Sequence, residues 1–283
     1  MLSITVGSFK IGPGLPLALI AGPCQIENRD HALYNAEALV KASQKAGVNF
    51  IYKSSFDKAN RTSAKSARGV GIDKGLRILE CVKQEFNCPT LTDIHLPEQC
   101  NIVSDVVDIL QIPAFLCRQT DLLISAGESN AIVNIKKGQF LAPWDMEQVV
   151  KKLIEAGLKI SDQRIWLTER GSSFGYNTLV VDFRSIPKLK SFGCPVIFDA
   201  THSVQQPGGK GTISGGQREF VSTLSRAAMA VGVDGLFMEV HPSPNEALSD
   251  GPNMVPISKV EALLENLLEI KKAKGINPPE SSI

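Results

Sequence analysis

The sequence predicts an α/β fold, a single (β/α)8 TIM barrel with an N-terminal β-hairpin, and three observations lead to it. Short β-branched runs recur along the chain, longer segments with helical spacing alternate with them, and no linker divides the 283 residues into two domains. Nearly continuous apolar runs are typical of strands that are buried on both faces of a parallel sheet. Eight such runs alternating with helices suit a closed barrel, whereas an open doubly wound sheet usually has fewer strands. The runs lie at residues 17–21, 50–53, 90–94, 106–111, 131–136, 165–168, 196–199 and 235–240, and helical spacing is found at 32–46, 74–86, 146–156, 218–230 and 258–273.

The two ends of the chain and one internal loop depart from this repeat. Residues 4–11 alternate apolar and polar side chains around Gly7-Ser8, which predicts the hairpin, assigned to residues 1–14. Residues 275–283 are rich in Pro and Ser, and we expect them to form a disordered tail. Residues 205–216 are dense in glycine and lie between a strand and a helix. In a barrel this position belongs to the catalytic rim, so we expect a lid there, with a plain surface connection as the alternative.

Charge and cysteine usage exclude several classes of protein. The net charge is only +1 at pH 7, whereas a nucleic-acid or acidic-membrane binder would carry a marked excess of Lys and Arg. Six cysteines include no Cys-x-x-Cys pair, which favours reduced thiols in a cytoplasmic protein. The apolar run at residues 15–23 is too short to cross a bilayer, and we interpret it as a buried strand. We therefore expect a cytoplasmic protein with no nucleic-acid and no membrane partner.

Polar or ionisable side chains follow every predicted strand, at the point where the strand ends. In strand order they are Cys24; Lys53 and Ser55; Asp93 and His95; Gln111; Lys136; Glu169 and Arg170; Asp199 and His202; and Glu239 and His241. The carboxyl ends of barrel strands point into the mouth, where these folds carry out catalysis. Any one of these residues could serve a structural hydrogen bond. Eight strand ends in succession favour an active site, because partly buried charges need partners.

Basic side chains concentrate on these strand ends and in the loops after them. They are Lys53, Lys58, Arg61, Lys136 and Arg170, and the loop at residues 53–68 interleaves cations with hydroxyls. Arg supplies a planar fork, Lys a point charge, and Ser or Thr further donors for phosphate and carboxylate groups. Because the total charge is near zero, this cluster predicts small multiply anionic ligands rather than a polymer. A Schiff-base aldolase stays open at this point, since Lys53 or Lys136 could act as an amine nucleophile.

Four residues from distant parts of the chain can converge into a metal site. Cys24, His202, Glu239 and Asp250 follow the first, seventh and eighth strands, and the first and eighth strands are neighbours in a closed barrel. A thiolate, an imidazole and two carboxylates suit Zn²⁺, Fe²⁺, Mn²⁺ or Co²⁺ better than Ca²⁺ or Mg²⁺. Spacing alone leaves the question open, because a lone Cys at a strand end is often a small buried hydrophobe.

Specific motifs surround these positions along nearly the whole chain. They are Ile20-Ala21-Gly22-Pro23-Cys24, Lys53-Ser54-Ser55-Phe56-Asp57-Lys58-Ala59-Asn60-Arg61, Leu91-Thr92-Asp93-Ile94-His95, Gln111-Ile112-Pro113-Ala114-Phe115, Asn134-Ile135-Lys136-Lys137, Arg170-Gly171-Ser172-Ser173-Phe174-Gly175-Tyr176, Phe198-Asp199-Ala200-Thr201-His202 and Ser249-Asp250-Gly251-Pro252. In these motifs the chain resembles the 3-deoxy-D-manno-octulosonate 8-phosphate synthases. The sister family, the heptulosonate 7-phosphate synthases, typically carries Lys-Pro-Arg-Thr after the second strand, where this chain has Lys58-Ala59-Asn60-Arg61. The resemblance is therefore to the octulosonate family.

This resemblance implies a reaction and two substrate sites. Phosphoenolpyruvate, D-arabinose 5-phosphate and water would give the eight-carbon keto-acid phosphate and inorganic phosphate, on the route to the inner sugar of lipopolysaccharide. By analogy, phosphoenolpyruvate would be held by Lys53, Ser55, Lys58, Gln111, Lys136 and Arg170. The phosphate of arabinose 5-phosphate would be received by Asn60, Arg61 and Thr62, which in the family reach over from a neighbouring subunit of a homotetramer.

The resemblance also implies a metal and a set of catalytic groups. Cys24 stands where the metal-independent class has Asn, which places the chain with the metal-dependent class. The remaining ligands would be His202, Glu239 and Asp250. Catalytic roles would fall to His202, Lys136, Asp93 and Asp199, although structural hydrogen bonding is an equally good interpretation of the two aspartates. The alternatives that stay open are a heptulosonate or sialic acid type of condensing synthase, a Schiff-base aldolase, and a catalytically silent barrel that senses sugar phosphates.

Overall fold

The computed structural model describes residues 3–60, 67–158, 164–209 and 214–273, and within these ranges eight parallel strands close into a barrel. The last two strands close the ring, because Phe198 pairs with Leu236 and Phe237 pairs with Ile20. The strands are β1 Ala18–Gly22, β2 Asn49–Lys53, β3 Thr90–Asp93, β4 Ile109–Ile112, β5 Ile132–Lys136, β6 Ile165–Glu169, β7 Val196–Asp199 and β8 Gly235–His241. The helices are α1 Arg29–Ala46, α2 Ile72–Phe86, α3 Gln99–Ser104, α4 Thr120–Glu128, α5 Met146–Glu155, α6 Ser185–Lys190, α7 Val221–Val231 and α8 Val260–Lys272. The predicted barrel is confirmed. None of the described helices is long and apolar enough to cross a membrane.

The N-terminal hairpin is also confirmed, and it closes one end of the barrel. Its strands Ile4–Val6 and Phe9–Ile11 pair antiparallel, as the alternating sequence predicts. The apolar side chains of the hairpin join a buried cluster inside the barrel. That cluster takes one residue or more from every barrel strand, including Ile20, Ile51, Leu91, Ile109, Ile132, Trp166, Ile197 and Phe237. The hairpin therefore seals the end of the barrel opposite the carboxyl ends of the strands.

A second layer of inward-facing residues lies two positions further along each strand. Side chains alternate between the two faces of a strand, so this spacing returns to the barrel interior. On seven of the eight strands the residue there is polar and buried: Lys53, Asp93, Gln111, Asn134, Thr168, Asp199 and Glu239. We call these seven side chains the polar tier. On β1 the same position is Gly22, where a Cβ atom would meet the Lys53 carbonyl oxygen at 1.9 Å. The interior thus changes from apolar to polar towards the mouth.

Several element boundaries differ from the sequence expectation for local reasons. Helix α1 begins earlier, at Arg29, because Asn28 caps it by accepting from the His31 N–H at 2.9 Å. Strand β4 begins later than predicted, at Ile109, and the Asp108 carboxylate just before it accepts from the Thr90 N–H at 2.9 Å. The predicted helix at 218–230 is a 3₁₀ turn followed by α7.

Two rim features accompany the barrel. A short hairpin of Ser172–Phe174 and Thr178–Val180 follows β6 and was not predicted from the sequence. The glycine-dense segment after β7 is anchored by pairing of Gln205–Gln206 with Gly215–Gly216. Residues 210–213 of that predicted lid and the predicted tail at 275–283 lie outside the described residues.

Candidate active site

A cavity of about 190 Å³ opens at the carboxyl ends of the barrel strands. Most of the residues that the sequence nominated line its wall: Lys53, Lys58, Asn60, Asp93, Gln111, Lys136, Arg170, His202, Glu239 and Asp250. Cys24, Ser55 and Asp199 lie behind this wall, and each of them contacts a lining residue. Arg61 and Thr62 lie outside the described residues. The strand ends therefore bring the predicted residues to one mouth.

Lys136, Asp199 and His202 form one connected group at this mouth. Lys136 Nζ lies 2.6 Å from Asp199 Oδ2 and 3.4 Å from His202 Nδ1. His202 Nδ1 is itself 2.8 Å from Asp199 Oδ2. Burial opposes ionisation of Asp199, but His202 and Lys136 outweigh it and hold the pKa of Asp199 well below its usual range. Lys136 Nζ also sits 3.8 Å from the ring centre of Phe237, an attractive position for a cation.

Lys53 is buried beneath the cavity and already engaged by the protein. Its Nζ lies 3.1 Å from Glu239 Oε1, 3.2 Å from the Cys24 carbonyl oxygen and 3.5 Å from Asp93 Oδ2. The contacts with Glu239 and with the Cys24 carbonyl oxygen are hydrogen bonds and use two of the three ammonium hydrogens, whereas the contact with Asp93 is an ion pair. Lys53 also lines the cavity, so its positive charge can act on a ligand there.

Arg170 carries donors that the described part of the protein leaves unfilled. The residue is only 3% exposed, and its Nη2 donates to Gln205 Oε1 at 2.9 Å. Its Nε and Nη1 are buried and have no hydrogen-bond partner among the described residues. Burial lowers the pKa of Arg170, yet a guanidinium stays protonated in proteins. Two vacant charged donors beside a cavity are suited to an anionic group of a ligand.

Gln205 is a site residue that sequence reasoning missed. It accepts from Arg170, and its Nε2 donates to Asp250 Oδ1 at 3.1 Å. The side chain therefore connects Arg170 to Asp250, a predicted metal ligand. Its position at the start of the glycine-dense loop was the only sequence signal, and that signal pointed to a loop rather than to one residue.

Three of the four predicted metal ligands lie close together. Cys24 Sγ lies 3.4 Å from Asp250 Oδ2, and one ligand atom each from Cys24, Glu239 and Asp250 fall within 4.8 Å of one another. His202 is not part of this group of three, although its Nε2 lies 3.7 Å from Glu239 Oε1. Glu239 Oε2 is buried with no partner in the described chain. Asp250 adopts a left-handed conformation with φ 51°, which is uncommon for a residue with a side chain and is found at functional sites. A vacant buried carboxylate oxygen beside a thiol and an imidazole fits a borderline divalent ion.

A second group of possible ligands is a structural link. Glu27, His31 and His241 also offer ligand atoms within 4.8 Å of one another. However, the Ser243 N–H donates to His241 Nδ1 at 3.0 Å, which places the proton of a neutral imidazole on Nε2. That nitrogen lies 3.1 Å from Glu27 Oε1, so it donates there. The contact joins the loop after β1 to the end of β8.

These features define a class of protein: a (β/α)8 barrel enzyme with a mouth for small, multiply anionic substrates. Comparison with known proteins makes the class specific. The chain belongs to the DAHP synthetase I family, whose model matches residues 2–274.

Named relatives cover almost the whole chain. A protein of Bartonella tribocorum called 2-dehydro-3-deoxyphosphooctonate aldolase is 57% identical over 266 residues, which is 94% of this chain and 94% of the relative. A protein of the same name from Brucella ovis is 59% identical over 266 residues, covering 94% of this chain and 95% of the relative. A third, from Brucella anthropi, is 58% identical over 275 residues, covering 97% and 98%.

Proposed function

We infer that this chain condenses phosphoenolpyruvate with D-arabinose 5-phosphate and water to give 3-deoxy-D-manno-octulosonate 8-phosphate and inorganic phosphate. The name shared by its relatives describes the same enzyme, and it favours this reaction over the heptulosonate and sialic acid types. The structural observation that carries the proposal is the buried Arg170 guanidinium, with Nε and Nη1 unfilled by any described residue. It lines the same cavity as Lys58 and Lys136, so three cations face two polyanionic substrates.

The reaction joins two anions, and the protein must first overcome their repulsion. C3 of phosphoenolpyruvate attacks the aldehyde carbon while water adds at C2, and the C2–O bond to phosphate then breaks. Arg170 and Lys58 hold the carboxylate and phosphate groups, and fixing both molecules in reactive geometry removes an entropic part of the barrier. The positive potential of Lys53 below the cavity acts on the same charges.

We assign proton handling to the Lys136 group. Lys136 Nζ is the donor held at the mouth, and burial lowers its pKa, which makes it a better acid than an exposed lysine. It donates to the aldehyde oxygen as the carbon–carbon bond forms, and the Asp199 carboxylate keeps the amine in place. His202, hydrogen-bonded to the same carboxylate, can relay protons at Nδ1.

Asp93 is assigned an orienting role. Burial opposes its ionisation, but Lys53, Lys58 and Lys136 outweigh burial and hold the pKa of Asp93 well below its usual range. An aspartate that stays ionised at neutral pH accepts hydrogen bonds and does not donate a proton. Asp93 accepts from Ser55 Oγ and from Gln111 Nε2, so it orders the wall of the cavity.

A divalent ion completes the proposal, with Zn²⁺, Fe²⁺, Mn²⁺ and Co²⁺ as the candidates. Cys24, His202, Glu239 and Asp250 would hold it, on the support of the distances and the vacant Glu239 oxygen described above. When bound, such an ion supplies Lewis acidity that polarises a carbonyl oxygen or orients water.

A phosphate-release assay tests the function directly. Purified protein should release inorganic phosphate only when phosphoenolpyruvate and arabinose 5-phosphate are both present. Replacing the sugar by erythrose 4-phosphate or N-acetylmannosamine should reduce the rate strongly. Higher activity with either replacement sugar would show that the protein is a condensing synthase of the corresponding type, heptulosonate or sialic acid. Inactivation by borohydride in the presence of substrate would identify a Schiff-base aldolase. Absence of phosphate release with every substrate pair would identify a sensor.

We further propose a homotetramer in the cytoplasm. Support comes from large exposed apolar side chains on the adjacent loops after β5 and β6, among them Phe140, Trp144 and Phe174. The Ser173 N–H donates to the Gln139 carbonyl at 2.9 Å, so these loops lie side by side. Exposed aromatic patches are typical of protein interfaces. All six cysteines are free thiols, which agrees with a reducing compartment.

Arg61→Ala should weaken the binding of arabinose 5-phosphate far more than the binding of phosphoenolpyruvate. Losing a guanidinium that holds a phosphate costs about 10- to 100-fold in affinity, by the usual magnitude for hydrogen bonds to charged groups. The measurement is the KM for each substrate. Arg68→Ala is the matched control, because Arg68 is exposed and pairs with Asp57 at 2.9 Å, so its loss should change either KM little. Equal weakening of both substrates by Arg61→Ala would contradict the division of the two sites.

Mixing variants tests whether a neighbouring subunit completes the site. At an arabinose 5-phosphate concentration well below the raised KM of the Arg61→Ala variant, Arg61→Ala and Lys136→Met subunits are each expected to be nearly inactive alone. After subunit exchange, mixed tetramers would contain sites with both wild-type residues if Arg61 acts across the interface, so activity should return. A mixture that stays inactive despite proven exchange would show that the segment serves its own subunit.

A further inference from the structure

A directed series of side-chain hydrogen bonds crosses four neighbouring strands beneath the cavity. Thr168 Oγ1 on β6 donates to Asn134 Oδ1 on β5 at 2.7 Å, and Asn134 Nδ2 donates to Gln111 Oε1 on β4 at 2.9 Å. Gln111 Nε2 then donates to Asp93 Oδ1 on β3 at 2.6 Å. The strand register produces this alignment, because Asp93 pairs with Gln111 and Gln111 pairs with Asn134. We call these four side chains the amide relay.

The ionised carboxylate of Asp93 fixes the direction of every bond in the relay. A carboxylate only accepts, so Gln111 must turn its Nε2 towards Asp93. Its Oε1 is then left to accept from Asn134 Nδ2, and Asn134 Oδ1 is left to accept from the Thr168 hydroxyl. Turning either amide over would set two donors or two acceptors against each other in a buried place, which is costly. The Thr168 hydroxyl is therefore linked to the orientation of the Gln111 amide through the hydrogen bonds of Asn134.

Only part of the relay reaches the ligand. Gln111 and Asp93 line the cavity, whereas Asn134 and Thr168 are fully buried and do not line it. The Gln111 amide nitrogen carries two hydrogens, and Asp93 takes one of them. The other is available to a ligand in the cavity only while the amide keeps this orientation.

We propose that Thr168 and Asn134 are positioning residues that hold the Gln111 amide with its second N–H presented to phosphoenolpyruvate. This inference rests on the proposed assignment of Gln111 to that substrate. Neither residue touches the substrate. Their contribution to phosphoenolpyruvate binding passes through Gln111, so it should vanish when the Gln111 side chain is absent.

A double-mutant cycle on the full-length enzyme measures that dependence. Thr168→Val keeps the shape of the side chain and removes the hydroxyl. It should raise the Kd for phosphoenolpyruvate, measured by calorimetry, about fivefold, the loss expected for one neutral hydrogen bond. The KM for arabinose 5-phosphate should stay unchanged. In a Gln111→Ala background, Thr168→Val should have no further effect on the phosphoenolpyruvate Kd. Thr168→Ser keeps the hydroxyl and should restore wild-type affinity.

Thr92→Val is the matched control. Thr92 is equally buried, and its Oγ1 donates to the Ser54 carbonyl at 2.8 Å, outside the relay. This variant should leave the phosphoenolpyruvate Kd unchanged while lowering the melting temperature by a similar amount. If Thr168→Val yields no folded protein, Thr168→Ala replaces it in the cycle.

The outcomes distinguish failure of the positioning role of Thr168 and Asn134 from failure of the assignment of Gln111 to phosphoenolpyruvate. An equal loss of affinity in Thr92→Val, or a loss from Thr168→Val that persists in the Gln111→Ala background, would overturn the positioning role and leave the Gln111 assignment standing. Unchanged affinity in Gln111→Ala itself would overturn both. Loss in Thr168→Val, rescue by Thr168→Ser and no effect without Gln111 would establish the role.

Discussion

Removing divalent metal with a chelator is expected to abolish turnover, and adding Mn²⁺ or Co²⁺ is expected to restore it. The physical reason lies in the group formed by Cys24, Glu239 and Asp250, whose ligand atoms gather within 4.8 Å of one another, with Glu239 Oε2 left without a partner among the described residues. Burial raises the pKa of the Cys24 thiol, so without an ion this corner of the mouth holds a neutral thiol instead of a metal-bound thiolate. The measurements are metal content per subunit and phosphate release on the same samples. Full activity in a verified metal-free sample would remove the metal from the proposal.

Cys24→Asn provides the companion variant. It replaces the soft ligand with the residue found in the metal-independent class of the resembled family, so we expect metal affinity to fall while measurable activity remains. Cys194→Ser is a suitable control, because Cys194 is buried two residues before β7 and belongs to the hydrophobic core cluster. The control should keep metal and activity. A Cys24→Asn protein that is inactive yet binds metal with unchanged affinity would contradict the ligand role.

The sequence predicted the barrel because each strand is a continuous apolar run, and burial on both faces leaves that signature in any chain. It named no helix at α3, α4 or α6; α3 and α6 have six residues each, and fewer than two turns cannot show a helical period, whereas α4 has nine residues. The hairpin after β6 also escaped, because its strands of three residues are largely exposed and carry no apolar alternation.

The sequence predicted mainly those site residues that carry a charge. Lys136 and Arg170 were visible as cations at strand ends, and the structure brings them to one cavity. Asn134 and Thr168 were not recognised as site residues, because they are neutral polar side chains within a strand and carry no charge that would indicate a functional role. A period of two would have found them: each stands two residues before a nominated cation on the same inward face. Gln205 could not be found this way, because its contacts depend on how a loop folds.

Lys136→Met is expected to lower kcat/KM by about 10²- to 10³-fold, the range for removing one charge-stabilising donor from an active site. Lys136 is the group 2.6 Å from Asp199 and 3.4 Å from His202, and it lines the cavity. Methionine keeps most of the length of the side chain, and Asp199 keeps His202 Nδ1 at 2.8 Å as a partner, so the variant should still fold. Steady-state kinetics and the melting temperature, measured together, separate lost catalysis from lost structure.

Lys137→Met should show the opposite balance, with loss of stability as its main effect, although the two lysines are adjacent in the sequence. Lys137 faces away from the barrel interior, where its Nζ lies 3.6 Å from Glu169 Oε1 and donates to Ser172 Oγ at 2.9 Å and to the Gly171 carbonyl at 3.3 Å. Removing it leaves the buried Glu169 carboxylate without its cation, which costs about 3–5 kcal/mol of the free energy of unfolding. Urea unfolding measures that loss.

Adding Glu169→Gln to Lys137→Met removes the uncompensated charge, so the double variant should recover much of the stability that the single variant loses. Glutamine can still accept from the Gly171 N–H, the contact that Glu169 Oε1 makes at 2.7 Å. Because this contact fixes the chain just after Arg170, the double variant should also keep its activity. A Lys137→Met variant that retained its stability and lost activity as Lys136→Met does would give Lys137 a role in catalysis. That result would contradict the assignment of Lys136 to the mouth and Lys137 to structural support.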